Sequence, residues 1–311
     1  MIINTGCRTD IPAFYSKWLM NRIREGYVLV RNPYYPSQVT KYILSPKVVD
    51  CLAFCTKNPE PMLEYLDELD KYKQYWFVTI TPYGKDIEPV VPDKEKVTES
   101  FKKLSNHIGI DSIGWRYDPI FINKEFDVEK HIKCFENMAN SLKGYTHNCT
   151  ISFLDLYEKV KRNAPDLRPP TKEEQIRIAK AFARIGKENN IVIHSCCEKT
   201  FLSEYGLKCN GCMSQEIVEK SINGKLEPPK RKNLRQECNC IMGNDIGAYN
   251  TCGHLCKYCY ANANKGLVIE NMKKHNENSP FLIGNSEVGD KITEAKQKSW
   301  LVGRNKQISF I

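Results

Sequence analysis

The chain has 311 residues, of which 41% are hydrophobic and 27% charged, so it is neither a disordered nor a fibrous chain and can build a full core. It shows no secretory signal pattern and no apolar run of about 18 residues, which argues against export and against a membrane span. We therefore expect a cytoplasmic protein without a membrane partner. The formal net charge of +9 favours an anionic partner, and nucleic acid is one candidate.

Short β-rich runs alternate with amphipathic stretches along the first two-thirds of the sequence. The pattern predicts strands at 2–4, 48–54, 75–80, 114–120, 149–153 and 191–194, and a hairpin from 27–31 and 41–44. It predicts helices at 12–24, 61–71, 94–107, 128–142 and 171–188, and a last helix at 260–274. The helix at 171–188 begins with a capping box, Thr171 followed by Glu174.

Strands that alternate with helices indicate an α/β fold with a mainly parallel sheet, either an open sheet or a barrel. Polar residues follow the predicted strands, where a barrel would place them around one mouth, so we favour a barrel or a partial (βα)6 barrel. Its body would span residues 1–195, and a cysteine-rich region, 196–311, would complete the mouth. The polar residues at strand ends include Arg8, Thr9, Asp10, Lys57, Arg116, Asp118, Asp155 and Glu198. A purely structural role is the competing interpretation for each.

Fourteen cysteines are present, and nine of them lie between Cys196 and Cys259. Thiols in the cytosol are kept reduced, so metal binding or redox chemistry is favoured over a disulfide framework. Three of the nine form the motif C-x3-C-x2-C at Cys252, Cys256 and Cys259. Three thiolates on a short loop can hold three irons of a cubane cluster and leave the fourth iron open, although zinc could use the same thiolates.

The loop resembles the signature of the radical S-adenosylmethionine (SAM) enzymes, because an aromatic residue, Tyr258, precedes its last cysteine. The stretch 245–262, the opening run 8–15 and the segment 56–59 are similar to the family called domain of unknown function 1848. A more distant similarity is to spore photoproduct lyase. The resemblance implies an enzyme whose [4Fe-4S] cluster binds and reductively cleaves SAM, so that a 5′-deoxyadenosyl radical abstracts hydrogen from a substrate. It also implies an external electron donor of flavodoxin or ferredoxin type.

The cysteine loop follows nearly all the predicted strands, whereas in the radical SAM superfamily it normally follows the first one. A circular permutation of the radical SAM barrel would explain this order. The resemblance then places Thr9, Asp10 and Tyr258 where SAM is bound. An N-cap before Ile11 and Pro12 is the alternative role for Asp10.

Six further cysteines precede the loop, and the family pattern favours Cys196, Cys212, Cys238 and Cys240 as the ligands of a second metal site. Cys197 and Cys209 would be spare or substitute ligands. We expect an auxiliary [4Fe-4S] cluster there, with structural zinc as the alternative. Because adjacent side chains on extended backbone face opposite ways, Cys196 and Cys197 are not expected to bind one metal together.

Three residues are candidates for catalysis. Cys7 could donate a hydrogen atom to a substrate radical, and Arg116 and Asp118 could line the substrate pocket, although burial and loop bracing are the competing roles. The basic run 230–235 could contact nucleic acid or form a solvated loop. Four aromatic residues could stack on bases or pack in the core: Tyr34, Tyr35, Trp76 and Trp115. The alternative function is therefore a non-enzymatic nucleic-acid-binding protein stabilised by zinc or iron–sulfur.

Overall fold

The computed structural model describes residues 1–198, 200–230, 238–241 and 243–303. The strands of the main sheet are β1 (Ile2–Asn4), β4 (Cys51–Thr56), β5 (Gln74–Thr79), β6 (Ile113–Ile120), β7 (Asn148–Phe153), β8 (Val192–Ser195) and β9 (Asn244–Asp245). They pair in parallel in the order β8-β7-β6-β5-β4-β1-β9. Parallel pairing brings the carboxyl ends of all seven strands to one edge of the sheet.

A smaller sheet of three strands lies beside the main one. It consists of β2 (Tyr27–Arg31), β3 (Gln38–Ile43) and β10 (Lys291–Glu294), in the order β10-β3-β2. The β2–β3 pair is the antiparallel hairpin that the sequence predicts. The third strand, β10, pairs in parallel with β3 and comes from a segment in which we predicted no strand.

The helices are α1 (Ile11–Phe14), α2 (Ser16–Glu25), α3 (Leu66–Leu69), α4 (Lys94–Ile108), α5 (Val128–Leu142), α6 (Glu158–Asn163), α7 (Lys172–Glu188), α8 (Gln215–Ile222) and α9 (Lys265–Lys273). Three 3-10 helices add Glu60–Tyr65, Ile110–Ser112 and Thr200–Tyr205. The predicted capping box at the start of α7 is present, since Thr171 and Glu174 cap each other's backbone amides.

The two faces of the main sheet are covered differently, because side chains alternate along each strand. One face packs against α2, α4, α5 and α7 in a single large core, in which Phe135 of α5 stacks on Phe182 of α7 at a centroid distance of 3.6 Å. The opposite face packs against α8 and the cysteine-rich segment, where Ile217 and Val218 share a cluster with Tyr75. The cysteine-rich segment therefore packs on the face opposite the helical layer.

Most predicted elements are confirmed within a few residues, and α5 agrees at both ends. The predicted helix 12–24 is instead two helices, separated at Tyr15, and 61–71 is mainly a 3-10 helix followed by the short α3. The predicted helix 260–274 begins only at Lys265, because the Asn264 side chain caps it by accepting from the Leu267 amide at 2.9 Å. Helices α6 and α8 and strands β9 and β10 were not predicted.

The fold class is confirmed as α/β with a parallel sheet. Barrel closure is not found in the described residues, because β8 and β9 are the two edge strands and do not pair with each other. In the part of the chain that the structure describes, no helix has the length and apolar character needed to cross a membrane.

Candidate functional site

A cavity of about 470 Å³ opens at the carboxyl ends of the parallel strands. Each strand of the main sheet contains or leads into at least one residue of its wall, because parallel pairing brings the strand ends together. Cysteines of the C-x3-C-x2-C loop line it together with cysteines of the second group. Every strand-end residue named from the sequence, apart from Arg8, also lines it: Thr9, Asp10, Lys57, Arg116, Asp118, Asp155 and Glu198.

The three loop cysteines, Cys252, Cys256 and Cys259, are all half-buried and all face this cavity. Among the described residues, compact groups of potential metal ligands were identified by a separation of at most 4.8 Å between every pair of ligand atoms. The three sulfurs of the triad do not meet this limit. At least one pair of triad sulfurs is therefore farther apart than 4.8 Å. Sulfurs on one tetrahedral zinc ion lie about 3.8 Å apart, given Zn–S bonds of about 2.3 Å. The triad is spread more widely than a single ion requires.

The environment of the triad disfavours free thiolates. Burial raises the pKa of Cys252 well above its ordinary value, with further increases from Asp10 and the other two cysteines. Burial also raises the pKa of Cys256 to about 12, although the Lys57 ammonium acts in the opposite direction. One sulfur accepts a hydrogen bond from the backbone, because the Ala261 amide donates to Cys259 Sγ at 3.3 Å. Cationic metal is what would stabilise three thiolates in such a place.

Two buried carboxylates hold the triad loop in position. Tyr258, between the second and third cysteines, donates its hydroxyl to Glu88, which also pairs with Lys57 at 2.8 Å and with Lys94. Burial acts to raise the pKa of Glu88, but the two lysines outweigh it and lower that pKa to about 2. Glu88 was missed in the sequence, because it lies between elements with no motif around it. The Tyr258 hydroxyl is thus bound by the protein itself.

Asp10 is the second of these carboxylates. Its side chain caps α1 by accepting from the Ala13 amide at 3.0 Å, and it also accepts from the Lys57 amide at 2.8 Å. His254 of the triad loop lies against it, with 2.9 Å between His254 Nε2 and Asp10 Oδ2. The N-cap role weighed for Asp10 is therefore present, and the same carboxylate holds His254 beside the cysteines.

Thr9 and Asn4 offer polar atoms to the cavity. Both side chains are buried, and both line the cavity wall at the end of β1. Thr9 Oγ1 and Asn4 Oδ1 have no hydrogen-bond partner among the described residues. A buried polar atom without a partner is costly, so these two atoms are suited to a polar ligand in the cavity.

The three predicted catalytic residues also lie on the cavity wall. Arg116 Nη2 pairs with Asp118 Oδ2 at 2.6 Å, while its Nη1 lies 3.9 Å from Cys55 Sγ and its Nε has no partner. Asp118 also accepts from the Ser152 hydroxyl. Burial raises the pKa of Cys7 well above its ordinary value. The arrangement therefore presents one cation, one anion and one protonated thiol between the two cysteine groups.

The second cysteine group combines three segments of the chain. The sulfurs of Cys196, Cys212 and Cys240 all lie within 4.8 Å of one another, so this group could bind a metal. Cys212 Sγ and Cys240 Sγ are 3.5 Å apart, and the Met213 amide donates to Cys240 Sγ at 3.3 Å. The thiol of Cys238 contacts those of Cys197 and Cys240. The four predicted ligands are therefore clustered, whereas Cys209 packs against the main core.

One sequence-based expectation about this group is wrong. Cys196 and Cys197 do not face opposite ways, because their sulfurs are 3.9 Å apart. Cys197 has a φ of 59°, in the left-handed region, which ends the extended alternation after β8. The fifth thiol is therefore part of the cluster.

The structure separates the four aromatic residues that were candidates for nucleic-acid contact into two buried and two exposed ones. Trp76 and Trp115 are fully buried in the core, which confirms the structural alternative, while Tyr34 and Tyr35 are exposed on the hairpin. Within the basic run 230–235, residues 231–235 lie outside the described residues.

Glu198 faces the cavity, and burial raises its pKa to about 7.

The protein is an α/β protein with a candidate metal centre, because its seven-stranded parallel sheet places two cysteine groups beside one cavity. The chain belongs to the family described as a domain of unknown function (DUF1848), whose model matches residues 2–261. This confirms the family predicted from the sequence. No curated protein and no solved structure matches the chain.

Proposed function

We propose that the protein is a radical SAM enzyme, with a [4Fe-4S] cluster on Cys252, Cys256 and Cys259 and a substrate bound in the adjoining cavity. The observation that carries the proposal is the triad itself. Its three cysteines face the cavity, and their sulfurs are spread beyond the reach of one ion. Thiolates that each bind a separate iron of a cubane need this wider separation.

The donor set fits a cluster with one open corner. The triad loop contains no fourth cysteine. The one histidine within the loop, His254, is held by Asp10 through Nε2, while its Nδ1 has no hydrogen-bond partner among the described residues. When bound, the cluster would supply the electron that cleaves the sulfonium of SAM, and its open iron would hold the SAM amino and carboxylate groups.

Residues of the chain itself would bind SAM and the cluster. The Ala261 amide hydrogen bonds to the Cys259 sulfur, which stabilises thiolate charge at the cluster. Thr9 Oγ1 and Asn4 Oδ1 are the unpartnered polar atoms on the β1 side of the cavity, and we assign them to polar groups of SAM. Asp10 would act indirectly, by positioning the loop through His254.

The order of the strands supports a permuted partial barrel. From β9 through β1 and β4 to β8, the spatial order never reverses, and the major helices pack on one face, unlike a doubly wound sheet. Strand β9 leads into the triad loop and pairs with β1, with Ile3 opposite Asn244. The triad thus follows an edge strand of the sheet, the place that the first strand holds in the superfamily.

The cavity is suited to a substrate enclosed with SAM. Its volume of about 470 Å³ is typical of sites for small molecules or single extruded groups. Arg116 and Asp118 would position the substrate. Cys7, whose thiol remains protonated because burial raises its pKa, would donate a hydrogen atom to the substrate radical, and the resulting thiyl radical would be reduced by one electron from the external donor with uptake of a proton. An external flavodoxin- or ferredoxin-type donor and a cytoplasmic location belong to the same proposal.

Anaerobic purification followed by iron and sulfide analysis tests the proposal. With dithionite as reductant, the reconstituted protein should release 5′-deoxyadenosine from SAM. Cys256→Ala should abolish release and lower the iron content, whereas Cys134→Ala, on α5 and outside the cavity wall, should leave both unchanged. A colourless protein that holds zinc on the triad, or normal release by Cys256→Ala, contradicts it. The first result would favour the zinc-stabilised, non-enzymatic alternative.

A further inference from the structure

The second cysteine group has a different geometry from the triad. Cys212 Sγ and Cys240 Sγ are 3.5 Å apart, and Cys196 Sγ and Cys197 Sγ are 3.9 Å apart. The sulfurs of Cys196, Cys212 and Cys240 form a compact triangle with every side under 4.8 Å. Two thiolates on one tetrahedral zinc ion lie about 3.8 Å apart, because each Zn–S bond is about 2.3 Å long. The observed separations match one ion.

A cubane cluster does not fit this compact triangle. In a [4Fe-4S] cluster each cysteine binds a different iron, so the thiolates point outward from separate corners and lie farther apart than on a single ion. Two [4Fe-4S] clusters would need similar sulfur–sulfur distances in both cysteine groups. In this chain the sulfurs of the triad are widely separated, whereas those of Cys196, Cys212 and Cys240 lie close together. The difference between the groups indicates two different metals.

Five thiols surround four coordination positions. Cys197 and Cys238 flank this triangle: Cys197 Sγ lies 3.9 Å from Cys196 Sγ, and Cys238 lies beside Cys197 and Cys240. Neither belongs to the compact group whose sulfurs all lie within 4.8 Å of one another, so either one must move closer to complete a four-thiolate set. The left-handed φ of 59° at Cys197 turns its sulfur toward Cys196 instead of away from it. Cys197 lines the large cavity, whereas Cys238 lines a separate pocket beside Trp300. The metal would therefore lie in the partition between the two.

We infer that the second group binds one zinc ion, held by Cys196, Cys212 and Cys240, with Cys197 and Cys238 interchangeable in the fourth position. An all-sulfur tetrahedral set is typical of zinc, and the Met213 amide already hydrogen bonds to one of its sulfurs. The ion would join the segment after β8, the segment before α8 and the segment before β9. It would thereby fasten α8 to the sheet, where this part of the chain has a small core of its own.

The inference is tested in a full-length protein whose triad is replaced, Cys252→Ala/Cys256→Ala/Cys259→Ala, so that iron on the triad does not contribute. Metal analysis should find about one zinc per chain and no sulfide. In this background, Cys197→Ala and Cys238→Ala should each retain zinc. Cys212→Ala, and the double variant Cys197→Ala/Cys238→Ala, should lose at least tenfold in zinc affinity. Cobalt titration should give the strong visible bands of four-thiolate coordination in both single variants.

Three results would overturn the inference. Iron with acid-labile sulfide retained after loss of the triad identifies a second cluster, and a single iron without sulfide excludes zinc. Loss of zinc from Cys197→Ala or from Cys238→Ala alone assigns the fourth position to that cysteine and excludes interchange. Far-UV circular dichroism identifies variants that fail to fold. In that case, a thiol reagent added to the folded protein with its triad intact should release one zinc per chain into a dye, and the absence of zinc from the released metal contradicts the inference. None of these outcomes depends on SAM cleavage.

Discussion

His254 Nε2 lies 2.9 Å from Asp10 Oδ2, and this contact joins the triad loop to the N-cap of the first helix. The same carboxylate accepts from the Ala13 amide at the start of α1 and from the Lys57 amide after β4. One side chain thus fixes three segments that come from distant parts of the sequence. The position of the cysteines therefore depends on a residue that does not bind metal.

Asp10→Ala should destabilise the fold and loosen the triad loop together. Loss of an N-cap costs about 1 kcal/mol, and the unpaired Lys57 amide and His254 ring add to that cost. We expect a lower free energy of unfolding in urea, and a reconstituted protein that loses iron to a chelator several times faster than the parent.

Asp127→Ala is the matched control, because Asp127 caps α5 by accepting from the Lys130 amide at 2.8 Å and is not on the cavity wall. It should lose the cap contribution of about 1 kcal/mol but retain iron like the parent. If both variants lose iron equally fast, the contact between His254 and Asp10 has no special part in holding the loop.

Local patterns predicted most of the strands and the triad, but not the contacts that hold the triad. The spacing of the cysteines and the capping box are properties of adjacent residues, so they can be read directly. Glu88 and His254 act through partners that are 170 and 244 residues away, and no local pattern records such pairs. Strand β10 is exposed and forms only because β3 provides a free edge. Cys197 was misjudged because its left-handed backbone depends on the packed cluster.

Glu88→Gln should destabilise the protein at neutral pH. Glu88 is buried and binds Lys57 and Lys94, so the substitution leaves two partly buried ammonium groups without their anion, at a cost of about 3 kcal/mol. The pKa of Glu88 is lowered from 4.5 to about 2 in the fold. Its stabilising contribution is therefore complete above pH 4.5 and is lost as the pH falls from there toward 2.

Urea unfolding between pH 7 and pH 3 measures this contribution. The parent should lose stability over the acidic part of the range more steeply than Glu88→Gln. Glu68→Gln is the control, because Glu68 forms an exposed pair with Arg24 and should contribute less than about 1 kcal/mol. Identical pH profiles for the parent and Glu88→Gln would show that the buried ion pairs do not drive the acid sensitivity.

Thr9→Val should separate stability from SAM binding. The Thr9 hydroxyl is buried without a partner, so its removal should leave the apo protein equally stable or more stable by up to about 1 kcal/mol. If the hydroxyl binds SAM as proposed, the Kd for SAM should rise roughly tenfold. Thr5→Val is the control, because Thr5 Oγ1 donates to the Ala53 carbonyl at 3.4 Å and does not line the cavity. It should lower stability and leave the Kd unchanged; the reverse pattern would remove Thr9 from the SAM site.

Gly211→Ala should weaken the second metal site through a direct collision. A Cβ at Gly211 would lie 2.6 Å from Cys240 Sγ, and the residue has a φ of 84°, so the new methyl group must displace the sulfur from its position in the triangle. We expect the zinc affinity, measured by competition with a chelating dye, to fall at least tenfold. Gly144→Ala separates this collision from backbone strain, because Gly144 has a φ of 83° and open space around its Cβ position. It should cost about 1 kcal/mol of stability and leave the zinc affinity unchanged. Equal zinc affinities in the two variants would mean that Cys240 binds the ion from a position that the alanine methyl group does not reach.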